Sequence, residues 1–136
     1  MTVVEFGSIA ETDDHIDRDL DRLLLQELRV NKDMIVDSRL SGWLCFMNGI
    51  YAIKVFVTAP FDIRVKRVMY RENQTEAKVR EDILNREGSE KKRYASYYGI
   101  DYTRKDIYDV VVDSGSKSAK EISDELYDRV MAVSGK

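Results

Sequence analysis

Residues 52–60, AIKVFVTAP, decide the fold class of this chain. Ile53, Val55 and Val57 fall at every second position and share one face of an extended segment, which is typical of a β-strand. Pro60 follows at the first turn of a predicted helix, where a missing backbone N–H costs nothing. A strand that leads directly into a helix is the building unit of α/β proteins, so we expect strands and helices to alternate along the chain.

Two further apolar runs predict strands that break at polar or small residues. Residues 34–36 stop at Asp-Ser-Arg (37–39), and residues 107–112 stop at Asp-Ser-Gly (113–115). The sequence predicts one or two short helices within 1–14 and a helix over 16–30 with an apolar stripe of Ile16, Leu20, Leu23, Leu24 and Leu28. A short helix is predicted at 40–48, with Trp43 and Phe46 in the core, and another helix after Pro60. Two more helices have N-terminal caps: one begins after Thr75 and ends by Gly99, and the last begins at the capping box of Ser118 and Glu121. This order predicts an α/β protein with an open parallel sheet and helices on both faces.

The composition indicates a single domain over residues 1–136. Hydrophobic residues make up 43% of the chain, enough for a core, and charged residues make up 35%. No apolar run approaches the roughly 18 residues of a membrane span, and no basic and then apolar leader follows Met1, so we expect a cytoplasmic protein without membrane contact. With one cysteine, Cys45, and one histidine, His15, we expect no internal disulfide and no zinc site.

The charge is distributed unevenly. Residues 1–37 carry ten acidic and four basic side chains, whereas residues 38–108 carry nine acidic and fourteen basic ones. A pI near 5.3 argues against broad nucleic-acid binding. A basic middle in an acidic protein suits a small polyanion such as a nucleotide.

The helix that contains residues 80–98, REDILNREGSEKKRYASYY, carries a candidate binding face. Arg86, Glu90 and Arg93 stand at i, i+4 and i+7 and therefore share one side of a helix. Guanidinium groups fit phosphate oxygens, and a carboxylate between two of them fixes their rotamers or meets a sugar hydroxyl or base amine. The alternative is a solvated helix with weak surface pairs, Arg86 with Glu90 and Glu87 with Lys91.

The ends of the three predicted strands offer a place for a ligand. In open α/β sheets, ligands bind at the C-terminal ends of parallel strands, where the residues at 37–39, 58–60 and 113–115 would meet. The predicted helix after Pro60 adds a basic face of Arg64, Arg67 and Arg71. These residues predict a nucleotide or phosphate ligand.

The order of IDR, IVDSRLSGW, KVFVTAP, NREGSEKKRYASYYGID and IYDVVVDS resembles the short, archaeal-type cytidylate kinases, which have the nucleoside monophosphate kinase fold. The resemblance covers nearly the whole chain, and its most specific part is SEKKRY followed by YGID and IYD. It implies a P-loop kinase-like sheet with a helical lid, divided into monophosphate-binding helices (1–33), core strands (34–60), lid helices (61–99), and a core strand with the C-terminal helix (100–136).

The resemblance also implies an activity, the ATP-dependent phosphorylation of CMP or dCMP with Mg²⁺. It implies catalytic roles for Arg39, Arg86 and Arg93, acceptor binding by Arg39, Glu90 and Arg93 with Asp17 and Arg18 as further candidates, and donor binding by Ser114, Gly115 and Ser116. The strand-end pattern adds Asp37 to the predicted acceptor residues, and the basic face of the helix after Pro60 adds Arg67 and Arg71 to the predicted donor residues. None of these residues is expected to be a metal ligand. Ser38 stands where the family has glycine in Asp-Gly-Arg, and Gly88 replaces a glutamate inside the lid helix.

The family's phosphate-binding loop, Gly-x-x-x-x-Gly-Lys-Ser/Thr, has no match in the 136 residues. We therefore expect a chain that lacks the first, central strand and this loop, by truncation or natural loss, and that is inactive alone. The alternative function is a non-catalytic nucleotide-binding or strand-pairing module. Because the absent strand would leave unpaired N–H and C=O groups, we expect a homodimer or another strand-completing partner.

Overall fold

The computed structural model describes residues 14–31 and 33–135, with side chains from residue 18 onward. The elements are α1 (Asp14–Val30), α2 (Ser41–Met47), β1 (Val55–Thr58), α3 (Phe61–Glu72), α4 (Glu76–Tyr98), β2 (Val110–Asp113) and α5 (Ala119–Ser134). Together they form a mixed α/β fold. The short helices expected within 1–14 lie almost wholly outside the described residues, and the larger sheet with helices on both faces remains a prediction.

β1 and β2 form a parallel pair in which Val55 is opposite Val110 and Thr58 is opposite Asp113. The pair begins where the backbone N–H of Asp109 donates to the carbonyl of Lys54 at 2.8 Å, and it ends where the N–H of Ser114 donates to the carbonyl of Thr58 at 2.7 Å. The strand expected at 53–58 is thus confirmed over its last four residues. The strand expected at 107–112 starts three residues later, because Ile107 packs in the core cluster instead.

The strand expected at 34–36 is wrong. These residues have no strand partner among the described residues, and the side chain of Ile35 is 100% exposed. An apolar run becomes a strand only where a neighbour supplies backbone hydrogen bonds, so hydrophobicity alone does not form one here.

The main hydrophobic cluster lies between α2, the second half of α4 and the segment that leads to β2. Its buried members are Leu40, Trp43, Leu44, Tyr94, Tyr102 and Ile107. The indole Nε1 of Trp43 donates to the carbonyl of Tyr102 at 3.2 Å, which satisfies a buried polar group. Leu24 and Leu28 of α1 pack against this cluster.

Three residues expected in the core lie largely outside it. Leu20 and Leu23 are more than half exposed, and Phe46 is 56% exposed. A helix stripe is buried only along the length that faces another element, and α1 meets the cluster with its second half. Phe46 contacts Trp43 only edge to face, with 6.0 Å between the ring centroids.

The helix ends follow local chemistry. The Thr75 side chain accepts from the N–H of Lys78 and begins α4, while Gly99 ends it with φ of 66°. Ser118 and Glu121 form the predicted capping box of α5. None of the described helices is long and apolar enough to cross a membrane.

Candidate functional site

Two arginines from different parts of the chain meet one buried carboxylate, and we call Arg39, Arg86 and Glu90 the arginine cluster. The Nε of Arg86 donates to Oε1 of Glu90 at 3.0 Å, and the Nε of Arg39 lies 3.2 Å from the same oxygen. The Glu90 side chain is 5% exposed, while those of Arg39 and Arg86 are 45% and 42% exposed. The cluster therefore consists of one buried carboxylate and two arginine side chains that are partly exposed to solvent.

Local structure explains how Arg39 reaches Glu90. The hydroxyl of Ser38 accepts from the backbone N–H groups of Leu40 and Ser41, both at 3.2 Å, at the start of α2. Leu40, the next residue after Arg39, is 2% exposed in the core cluster. The serine has no positive φ, so it replaces the family's glycine without strain.

The interpretation of this helix face as fully solvated is wrong. Arg86 does pair with Glu90, but Glu87 pairs with Arg64 of α3 rather than with Lys91. Glu90 is 4% and Arg93 7% exposed. Burial of two charged residues on one helix face is expensive unless the charges are matched, which separates this face from ordinary surface pairs.

Tyr102 borders the arginine cluster and was missed by the sequence reasoning. Burial, followed by the negative charge of Glu90, raises the pKa of Tyr102 to about 12. Its ring packs edge to face on Tyr94 with 5.3 Å between centroids. No sequence pattern pointed to Tyr102, because its position beside α4 depends on the chain reversal after Gly99.

The remaining predicted acceptor residues are Asp37, Arg18 and Asp17. Asp37 is exposed, and Arg18 is exposed on α1. The side chain of Asp17 lies outside the described residues. Their roles in acceptor binding remain predictions.

The ends of β1 and β2 form a second site, joined by Ser114. The hydroxyl of Ser114 donates to the carbonyl of Thr58 at 3.1 Å. The guanidinium of Arg67, on α3, donates to the hydroxyl and the carbonyl of Ser114 at 3.0 and 2.6 Å. A side chain at Gly115 would meet Cδ of Pro60 at 2.7 Å, so this loop passes Pro60 too closely for any residue with a Cβ.

A cavity of about 540 Å³ opens beside this loop, and we call it the strand-end pocket. It is lined by Arg67, Ser114, Lys117, Ala119, Ile122, Ser123 and Leu126. Its mixture of cationic, hydroxyl and apolar groups suits a flat heteroaromatic ring with polar edges. Of the other predicted donor residues, Ser116 and Arg71 are exposed, and Arg71 pairs with Glu72 at 3.6 Å.

The basic face of α3 is only partly available to a ligand. Arg64 pairs with Glu87 and lies over the ring of Phe61, and Arg67 is engaged with Ser114. The predicted convergence of all three strand ends fails at 37–39, because residues 34–36, directly before them, do not form a strand. The structure instead has two separate candidate sites: the arginine cluster on α4 and the segment before α2, and the strand-end pocket beside the loop after β2.

Side chains that could hold a metal ion are not clustered in the described part of the chain. Within 14–31 and 33–135, no group of three or more His, Cys, Asp or Glu side chains is arranged to hold a metal ion.

Comparison with known proteins identifies the family. The model of the cytidylate kinase-like family matches residues 3–116. The chain is 40% identical to a cytidylate kinase of Halobacterium salinarum over 97% of its own length and 68% of the relative, and 42% identical to one of Haloarcula marismortui over 84% and 58%. A cytidylate kinase of Thermoplasma acidophilum is 33% identical over the whole chain and 72% of the relative. The chain thus spans about three fifths to seven tenths of these relatives, and it belongs to the cytidylate kinase-like family.

Proposed function

We propose that this chain binds CMP or dCMP through the arginine cluster and forms the acceptor and lid part of an ATP-dependent nucleotide kinase. The observation that carries the proposal is the shared contact of Arg39 and Arg86 with Glu90, since each guanidinium uses its Nε there. Among the described residues, no protein group accepts from the terminal nitrogens of these two arginines. Paired guanidinium forks of this kind match the oxygens of a phosphate.

The names of the relatives supply the nucleotide, because all three are called cytidylate kinases. In this proposal Arg39 and Arg86 neutralise and orient the acceptor phosphate, and Arg93, two turns beyond Arg86 on α4, adds positive charge. Catalysis of phosphoryl transfer depends mainly on such positioning and charge compensation. The family implies Mg²⁺ together with ATP, and when bound the ion would offset the negative charge of the phosphates.

The strand-end pocket is proposed to take the base of ATP, which supplies the transferred phosphoryl group. Arg67 is held by Ser114 and forms one wall, and the loop of Ser114, Gly115 and Ser116 forms another. Arg71, one turn beyond Arg67 on α3, is exposed and is assigned to the donor phosphates. Transfer itself is proposed for a polypeptide in which the family's phosphate-binding loop accompanies these residues.

Titration calorimetry with CMP tests acceptor binding on the 136-residue chain. Arg39→Ala removes one charge-assisted phosphate contact, which is typically worth about 1.5–3 kcal/mol, so we expect CMP to bind about 10- to 150-fold more weakly. Arg104→Ala is the matched control, because Arg104 pairs with Asp106 at 2.6 Å on an exposed loop. Equal affinity of the Arg39 variant and the unmodified chain would remove Arg39 from the site.

We also propose that a further strand pairs with the open edge of β1, from a second copy of the chain or another partner. On the far edge of β2, the carbonyl of Val111 already accepts from Arg129 at 2.6 Å. The supporting features are the 49% exposure of Val57 and the full exposure of Ile35. Light scattering that finds a stable, cooperatively folded monomer at micromolar concentration would contradict this proposal.

A further inference from the structure

Glu90 holds an unusual position in the arginine cluster. One of its oxygens, Oε1, contacts both Arg39 and Arg86, while the other, Oε2, is buried and has no hydrogen-bond partner. A buried carboxylate oxygen without a partner is costly, because the charge loses its water and gains no hydrogen bond there. The fold tolerates this cost at the place where two cations converge.

The direction of the contacts shows what Glu90 does to the arginines. Both reach it through Nε, and no terminal guanidinium nitrogen of either arginine donates a hydrogen bond to a protein group among the described residues. Both side chains are more than 40% exposed, so a ligand in solution can reach them. A free arginine side chain samples many rotamers, and one that is already held in place loses less conformational entropy when it binds a ligand.

We propose that Glu90 is a positioning residue, which orients Arg39 and Arg86 for a phosphate group and does not itself contact the ligand. This inference rests on the proposed function, and it differs from the acceptor-contact role that the family resemblance implies for Glu90. The ligand class is any phosphate monoester or inorganic phosphate, since the arginines read only the phosphate. The net charge of the cluster is one positive unit, so its selectivity for an anion comes from geometry as much as from charge.

Two probes separate positioning from direct contact. Inorganic phosphate has neither sugar nor base, whereas CMP has both. Glu90→Gln keeps the size of the side chain but removes the negative charge that holds the two Nε–H groups. We therefore expect both probes to bind about tenfold more weakly. Glu90→Asp keeps the charge but withdraws the carboxylate by about 1.5 Å, the length of one C–C bond, and should weaken both probes as well.

Glu87→Gln is the matched control. It removes the same charge one turn earlier on α4, but Glu87 pairs with Arg64 and not with the cluster. We expect its phosphate and CMP affinities to equal those of the unmodified chain. Melting temperatures of all three variants show whether any loss of affinity is only a loss of folded protein.

The outcomes decide the proposal in either direction. Loss of CMP binding with unchanged or tighter phosphate binding would mean that Glu90 contacts the sugar or base, and tighter binding of both probes would mean that its charge merely competes with the ligand. Either result overturns positioning. If the unmodified chain binds neither probe, the proposed function fails. NMR of the arginine Nε–H groups then still tests whether Glu90 positions the arginines. Slowly exchanging Nε–H signals of Arg39 and Arg86 that are lost in Glu90→Gln would support positioning, and unchanged signals would overturn it.

Discussion

Gly88 offers a quantitative test of how α4 is built. It lies inside a 23-residue helix, between the half that contacts α3 and the half that packs in the core cluster. A Cβ placed on Gly88 would meet no atom within 4 Å, so no contact requires glycine there. In a helix interior glycine is about 1 kcal/mol less favourable than alanine. Gly88→Ala should therefore stabilise the protein by about 1 kcal/mol.

The expected shift in melting temperature follows from the chain length. Unfolding entropy is about 2.1 cal/mol/K per residue near 60 °C, which gives about 0.3 kcal/mol/K for a chain of this size. A gain of about 1 kcal/mol then raises the melting temperature by about 3 °C, which circular dichroism at 222 nm resolves.

Gly99→Ala is the contrasting variant. Gly99 has φ of 66° at the C-terminal end of α4, where an L-residue costs about 1–2 kcal/mol, so the same assay should show a decrease. A melting temperature of Gly88→Ala at or below that of the unmodified protein would refute the reasoning. It would mean that α4 is not a continuous, uncrowded helix at this position.

Two further predictions concern the sites. Because burial raises the pKa of Tyr102 to about 12, above its unfolded value of about 10, its contribution to stability is complete below pH 10 and is lost as the pH rises towards 12. Urea unfolding across this range should show a decrease of about 2–3 kcal/mol that Tyr102→Phe largely removes; an equal decrease in the variant would assign it to other groups. For the strand-end pocket, Gly115→Ala should displace the loop from Pro60 and weaken ATP binding at least tenfold by calorimetry, whereas unchanged affinity would place the donor base elsewhere.

The sequence by itself determined the features that depend on neighbouring residues. The N-terminal caps at Thr75 and Ser118, the end of α4 at Gly99 and the Arg86–Glu90 pair all arise from groups within four positions of one another. Such interactions form wherever the helix forms, so their spacing is enough to predict them. The order of motifs along the chain likewise indicated the cytidylate kinase-like family before any fold was known.

Only the tertiary structure decided what lies buried and which distant groups meet. The sequence placed Glu90 on a helix face but could not show that this face is buried. Nor could it show that Arg39, which lies just before α2, contacts the same oxygen of Glu90 as Arg86 does. Ser114 and Arg67 are 47 positions apart, and Tyr102 carries no motif. Residues 34–36 failed as a strand for the same physical reason: pairing and burial depend on what packs alongside, and a local pattern contains no information about its neighbour in space.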